Sequence, residues 1–372
     1  MQLRGSKQAA VAGGAVIAAL AIAACSSSSS TSSSAPASSG SSSPAASTSS
    51  SAAAASGTIN AAGSSFQNTY QEAAIAAFKS VNSGITVNYD SVGSGTGRSD
   101  LYSNTVLMAG SDSPIPASEA SKVPAGKTVL YFPVQIGPIA MAYNLPGIKG
   151  LKLDATVIAG IFQGTIKTWN DPAITALNPG ASLPRTTITL AVRSDSSGTT
   201  ANFSQYMVDA AGSAWKLGTA STITWPSTAR AGDGGSAVAQ IVKSTTGAIG
   251  YVDFSTASAA SLQAASVKNS AGDFVAPSSA SATAAASHVT PKANLTFSAA
   301  DEPGAASYPI TYQSWDLVYS VQPNATDVAL LKAYLGYLLS STGQALLTPL
   351  NLAPLPASID SAAVSQLSMI TS

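Results

Sequence analysis

From Thr58 onward the chain switches repeatedly between two hydrophobic periodicities. Ile85-Thr86-Val87-Asn88-Tyr89 and Thr187-Ile188-Thr189-Leu190-Ala191-Val192 place apolar side chains at every second position, as a half-buried strand does, and the runs 129–136 and 139–143 are nearly all apolar, as in a buried strand. Phe66, Tyr70, Ala73, Ala74 and Ala77 recur at helical spacing, as do Val157, Ile158, Ile161 and Phe162. This interchange predicts α/β layering. Between Phe254 and Ser307 the pattern fades into Ala/Ser-rich sequence, including 276–287 just before His288, which predicts loops and a surface helix. Order returns at Tyr308-Pro309-Ile310-Thr311, with a strand pattern over 317–321 and a C-terminal helix over 328–339. No internal repeat is present.

The N-terminus follows other rules. Arg4 and Lys7 precede an apolar run, 9–24, that stops at Cys25, which is the pattern of an export signal and is shorter than a membrane span. Ile22-Ala23-Ala24-Cys25 resembles a bacterial lipobox, with isoleucine where leucine is commoner. The expectation is a signal peptide over 1–24, a lipidated Cys25 and anchorage to the outer face of the cell membrane. Cys25 is the only cysteine, so no internal disulfide can form. The segment 25–57 is dominated by serine and alanine and carries no charge, which predicts a flexible tether.

Residues 58–372 suffice for two lobes. Net charge is zero and only 9% of residues are charged, with no basic run, which argues against a nucleic-acid partner. No His/Cys cluster suggests a metal, and no cofactor is expected.

Three segments end a strand or loop in glycine and hydroxyl residues where a helix pattern begins: Ala62-Gly63-Ser64-Ser65-Phe66, Val92-Gly93-Ser94-Gly95-Thr96-Gly97 and Arg193-Ser194-Asp195-Ser196-Ser197-Gly198-Thr199-Thr200. Unpaired N–H groups at a helix start attract anions, and glycine lets a ligand approach the backbone. Each segment alone reads equally as an N-cap, Asp112 alone as an Asp-Ser-Pro turn, and Arg193 alone as an ion pair with Asp195.

Together, in this order and spacing, these segments resemble the phosphate-binding proteins of ABC-type phosphate importers. Tyr143-Asn144-Leu145-Pro146-Gly147-Ile148, Lys167-Thr168-Trp169-Asn170-Asp171-Pro172-Ala173-Ile174 and Gly247-Ala248-Ile249-Gly250-Tyr251-Val252 carry the same likeness. The resemblance implies an α/β, two-lobed periplasmic-binding-protein fold of type II, with lobe 1 from 58–140 and 308–372, lobe 2 from 141–307, and a ligand cleft at the hinge. It implies phosphate contacts from the Ser65 hydroxyl, the Phe66 N–H, Ser94, Asp112, Arg193, Ser197, Gly198 and Thr199, with Asp195 orienting the arginine. Asp112 would accept a proton from the ligand. Inorganic phosphate, the permease subunits of an importer and a monomeric state follow from the same likeness.

The chain departs from the family in places. Ser65 stands where threonine is usual, Leu107-Met108 replaces Asp-Phe, Val192 replaces an arginine, and 229–234 differs from the family's Gly/Lys/Asn-rich loop. Two other functions compete. One is binding of another oxyanion, such as sulfate, molybdate or arsenate; the other is serine-dependent hydrolysis at Ser94 or Ser197, which lacks a base because the only histidine is His288.

Overall fold

The computed structural model describes residues 55–372. The predicted signal peptide, Cys25 and nearly all of the tether lie outside them. In chain order the strands are β1 (Gly57–Gly63), β2 (Ile85–Ser91), β3 (Met108–Ser111), β4 (Val129–Tyr143), β5 (Lys152–Leu153) and β6 (Thr189–Arg193). They continue with β7 (Arg230–Gly232), β8 (Ala248–Asp253), the short β9 (Gln263–Ala264), β10 (Ser266–Lys268) and β11 (Phe274–Val275), and β12 (Thr311–Tyr319).

A nine-stranded sheet runs β2-β1-β3-β12-β4-β8-β6-β7, with β9 also beside β4. It has two halves joined through β4. From Val129 to Pro138 this strand pairs with β12, and from Ile139 to Tyr143 it pairs with β8. The two apolar runs read from the sequence are therefore one strand that changes partner. In each half the flanking strands are parallel, β1 with β2 and β3, and β6 with β7 and β8. Parallel neighbours need helical crossovers, and the helices Asn68–Val81 and Gly234–Ser244 follow β1 and β7 as this requires.

The helix over Ser279–Ala286 departs from the surface role expected of its Ala/Ser-rich sequence. Ser281, Ala282, Ala285 and Ala286 are buried in it, and it packs against β4 and β12. Small side chains permit that close approach. Further along, the Leu295 carbonyl accepts from the Trp315 indole N–H at 2.9 Å, and Phe297 meets Trp315 edge-on. The chain has thus returned to the first half of the sheet before Tyr308.

One glycine contact brings the first half's elements close enough to build a site. Gly63, at the end of β1, has φ +148°, and a Cβ there would overlap the Gly110 backbone of β3. We predict that Gly63→Ala lowers stability by about 3 kcal/mol, because backbone cannot yield as a flexible side chain does. Gly126→Ala, whose added Cβ would meet nothing within 4 Å, should cost about 1 kcal/mol from its φ of +78° alone. Urea unfolding of the two variants measures the difference, and equal losses would refute the packing argument.

Candidate functional site

β3 ends at Ser111 and delivers Asp112 into the interior, where it is 1% exposed. Its Oδ1 accepts from the Ser64 hydroxyl at 2.5 Å and from the Ser314 hydroxyl at 2.6 Å. Oδ2 has only a long contact, 3.4 Å, from Ser94 Oγ. The two carboxylate oxygens are therefore unequal: one is saturated and the other is open to a further donor. Burial pushes the Asp112 carboxyl up to about 6, against the pull of Ser314, Ser64 and the Arg193 charge. Its backbone is tied as firmly, since the N–H donates to Ser94 Oγ at 3.2 Å and the carbonyl accepts from Asn202 Nδ2 at 2.7 Å and Gln313 Nε2 at 3.3 Å.

Arg193 closes β6 and is 5% exposed. Its Nε and one terminal nitrogen donate to the two Asp195 oxygens at 2.6 and 2.5 Å, while the other terminal nitrogen is 3.5 Å from Thr199 Oγ1. Burial works against the charge, but the bidentate Asp195 contact outweighs it and keeps the guanidinium protonated. The Tyr251 hydroxyl accepts from the Arg193 N–H at 3.1 Å and bonds Thr200 Oγ1 at 2.7 Å. Phe203 stacks on that tyrosine at 4.6 Å. Ser197 caps the helix Gly198–Ala211, its hydroxyl accepting from the Thr200 N–H.

Glycines let the two halves of the sheet meet here. The Gly95 N–H donates to the Ser196 carbonyl at 2.9 Å. A Cβ on Gly93 would overlap Asp195, one on Gly95 would overlap Ser196, and one on Gly198 would lie 2.7 Å from Asp112 Oδ2. The structure thus gathers Ser94, Asp112, Arg193, Ser197, Gly198 and Thr199, with Asp195 behind the arginine. The other two predicted residues sit at its flank. The Phe66 N–H donates to Ser64 Oγ at 3.1 Å, and Ser65 Oγ accepts from the Gly235 N–H at 3.3 Å. The atypical loop at 229–234 also reaches this flank, because the Gly234 N–H donates to Asp195 Oδ1 at 3.2 Å.

Ser64, Ser314, Asn202 and Gln313 are missing from the sequence-based set. A signal for two of them existed: Gln313-Ser314 is a polar pair enclosed by Tyr312 and Trp315, and polar pairs carried inward by such neighbours need partners. A cavity of about 590 Å³, lined among others by Arg98, Glu119, Asn202 and Gln313, borders the cluster but includes neither Asp112 nor Arg193. Arg98 is occupied there by Glu119 at 2.9 Å and by Ser111 and Ser113.

Chemically, the cluster is a set of neutral donors and one guanidinium around a single carboxylate oxygen. It suits an anion that carries a proton. Among the described residues no group of three or more His, Cys, Asp or Glu side chains could hold a metal ion.

Comparison with known proteins agrees with this fold. The PBP superfamily domain matches residues 48–342. The chain is 37% identical to the phosphate-binding protein PstS of Haemophilus influenzae over 317 residues, 83% of this chain and 92% of that one. It is 36% identical to phosphate-binding protein PstS 3 of Mycobacterium leprae, covering 75% of this chain and 78% of that one. Among solved structures, a high-affinity periplasmic phosphate-binding protein, PfluDING, bound with phosphate at pH 8.5, superposes with a TM-score of 0.70 at 20% identity over 83% of this chain and 94% of that chain. A phosphate-binding protein from Stenotrophomonas maltophilia gives 0.69, also at 20% identity, over 84% and 94%. The architecture is thus that of a type II periplasmic-binding protein, two lobes around a cleft. The chain belongs to the PstS family of phosphate-binding proteins within the PBP superfamily.

A second buried carboxylate, Asp316, gives the fold a pH signature. Burial pushes it up to about 7, although Gln71 and Gln67 pull the other way. A carboxyl that holds its proton more tightly when folded makes the native state the better proton binder between the ordinary value of 3.8 and about 7. Its contribution to stability is present at the acid end and is lost as pH rises through that window. Asp316→Asn should therefore lose less stability than the parent between pH 4 and 7, as read from urea midpoints without phosphate. Parallel declines would show that Asp316 titrates normally.

Proposed function

We propose that this chain captures inorganic phosphate outside the cytoplasm and delivers it to the permease subunits of an ABC importer. The single observation that carries the reading is the Asp112 carboxylate, whose Oδ1 is saturated by two serines while Oδ2 faces Gly198 with room in its coordination. At neutral pH both common forms of phosphate keep a proton to give that oxygen. Sulfate has none, and would leave a carboxylate facing a like charge. The names of the relatives support the same ligand.

In this reading Ser94, Arg193, Ser197, Gly198 and Thr199 donate to the phosphate oxygens, the Phe66 N–H joins them by turning from Ser64 Oγ, Ser65 contributes its hydroxyl from the flank, and Asp195 holds the guanidinium plane. Lobe 1 comprises 58–140 and 308–372, and lobe 2 comprises 141–307, with the stretch around Leu295 packed back on lobe 1. Ligand contacts to both lobes favour the closed form. The protein acts as a monomeric binding protein and catalyses nothing: its histidine, His288, is placed beside Glu302 and Gly304, not beside Ser94 or Ser197. Cys25, by its lipobox-like setting, anchors it to the membrane.

Two sets of titrations test this. Arg193→Ala should weaken phosphate binding by about 2 to 5 kcal/mol, the loss of a buried charge-assisted donor, while Arg230→Ala on the exposed surface should leave it unchanged. Equal losses would move the site. Competition of phosphate with sulfate should show discrimination of roughly 10⁴ or more in the parent and far less in Asp112→Asn, which exchanges an acceptor-only group for one that also donates. A parent that binds sulfate as tightly as phosphate would overturn the phosphate reading.

A further inference from the structure

Several buried tyrosines in this fold place their hydroxyls on acceptors. Tyr70 donates to the Leu338 carbonyl, Tyr89 to the Ser64 carbonyl, Tyr308 to the Ile139 carbonyl and Tyr334 to Gln71 Oε1. Tyr312 differs from these four. It is 1% exposed, and its Oη finds no hydrogen-bond partner among the described residues. An unpaired buried hydroxyl costs stability, so it needs a physical reason.

The surroundings supply one. Tyr312 lies two residues before Ser314 on β12, ahead of the register shift at Ser314/Trp315, so the two side chains leave the same face of the strand. Ser314 uses that face to reach Asp112 Oδ1. The tyrosine ring is stacked on Phe66 at 4.1 Å with 30° between planes. Opposite it on β4 stands Gly137, where a Cβ would lie 2.9 Å from the Phe66 ring, so the absence of a side chain makes room for the stack. The ring is thereby fixed and the hydroxyl cannot swing to another partner. Asp112, Asp253 and Arg193 all act electrostatically on the phenol, and Thr199 stands beside it without closing a bond of good geometry. These residues come from both halves of the sheet, and Asp112, Arg193 and Thr199 belong to the anion site. Burial, with the two carboxylates, holds the phenol far above its ordinary range, so it remains a proton donor throughout the working pH.

We propose that Tyr312 Oη is a further ligand contact, donating a hydrogen bond to a phosphate oxygen held between Asp112 and Arg193. The sequence contained no hint of it. An aromatic residue in a buried strand reads as core, and the Tyr312 ring is indeed core, while its hydroxyl serves the site. The inference rests on the phosphate reading above.

Tyr312→Phe removes one oxygen and keeps the stack on Phe66. Calorimetric titration with inorganic phosphate should show binding weakened roughly 10- to 100-fold, as for the loss of one hydrogen bond to a charged ligand. Thermal unfolding without phosphate should show a midpoint equal to or above the parent's, because an unpaired buried hydroxyl has been deleted. The second measurement separates a ligand contact from a structural bond. A clear fall in the ligand-free midpoint would mean that Oη holds the fold together, and would overturn the proposal. Undiminished phosphate affinity would overturn it as well, while leaving the phosphate reading intact. A parent protein that gives no phosphate binding at all would defeat both.

Discussion

The rest of the site depends on the requirement that a carboxylate in a dry interior be held from every side. Asp112 is shut away from solvent, and an isolated charge there would be neutralised by a proton. Ser64 from the loop after β1, Ser314 from β12 and Ser94 from a helix start converge on its carboxylate, while Asn202 and Gln313 secure its carbonyl. Asn202 belongs to the helix that carries Gly198 and Thr199. The same aspartate therefore organises the acceptor and links the two walls of the cleft. Remove its partners and the geometry of the facing helix loses its reference point.

The site holds one more carboxylate than guanidinium, against expectation for an anion receptor. Asp195 offsets Arg193, and Asp112 adds a further negative charge, so the attraction has to come from oriented dipoles: hydroxyls, backbone N–H groups and the start of the helix Gly198–Ala211. Dipoles act at contact distance. Such a receptor senses the proton pattern of its ligand more than the ligand's total charge, which fits a chain whose overall net charge is zero.

Much of this was legible in the sequence, for identifiable reasons. Period-two strands such as 85–89 and helical spacing at Tyr70 and Ala74 reflect which face meets the core, and that pattern survives in any fold. The glycine-hydroxyl loops marked where the two halves of the sheet meet, because so close an approach demands small residues. What remained hidden belongs to tertiary placement. Ser64 outranks its neighbour Ser65 as the partner of Asp112 only because of the direction in which β1 ends. Ser314 and Asn202 are far from Asp112 in sequence, and nothing local announces their meeting. The Ala/Ser-rich helix Ser279–Ala286 looked superficial because alanine is ambiguous: it suits an exposed helix and a tightly packed one equally.

The unbroken run of β4 across both halves has a mechanical meaning. Two bodies joined by a loose loop can separate, slide and re-dock in many ways. Two bodies that share a hydrogen-bonded strand can only bend and twist about it, since sliding would break the ladder with β12 on one side and β8 on the other. The join also passes through Pro138, which has no N–H to contribute and lies where the strand changes partner. The ladder is thus thinnest at the point where flexing is needed. A bend about this strand would carry the wall of Arg193 toward the wall of Asp112 along one path and return the two side chains to the same register.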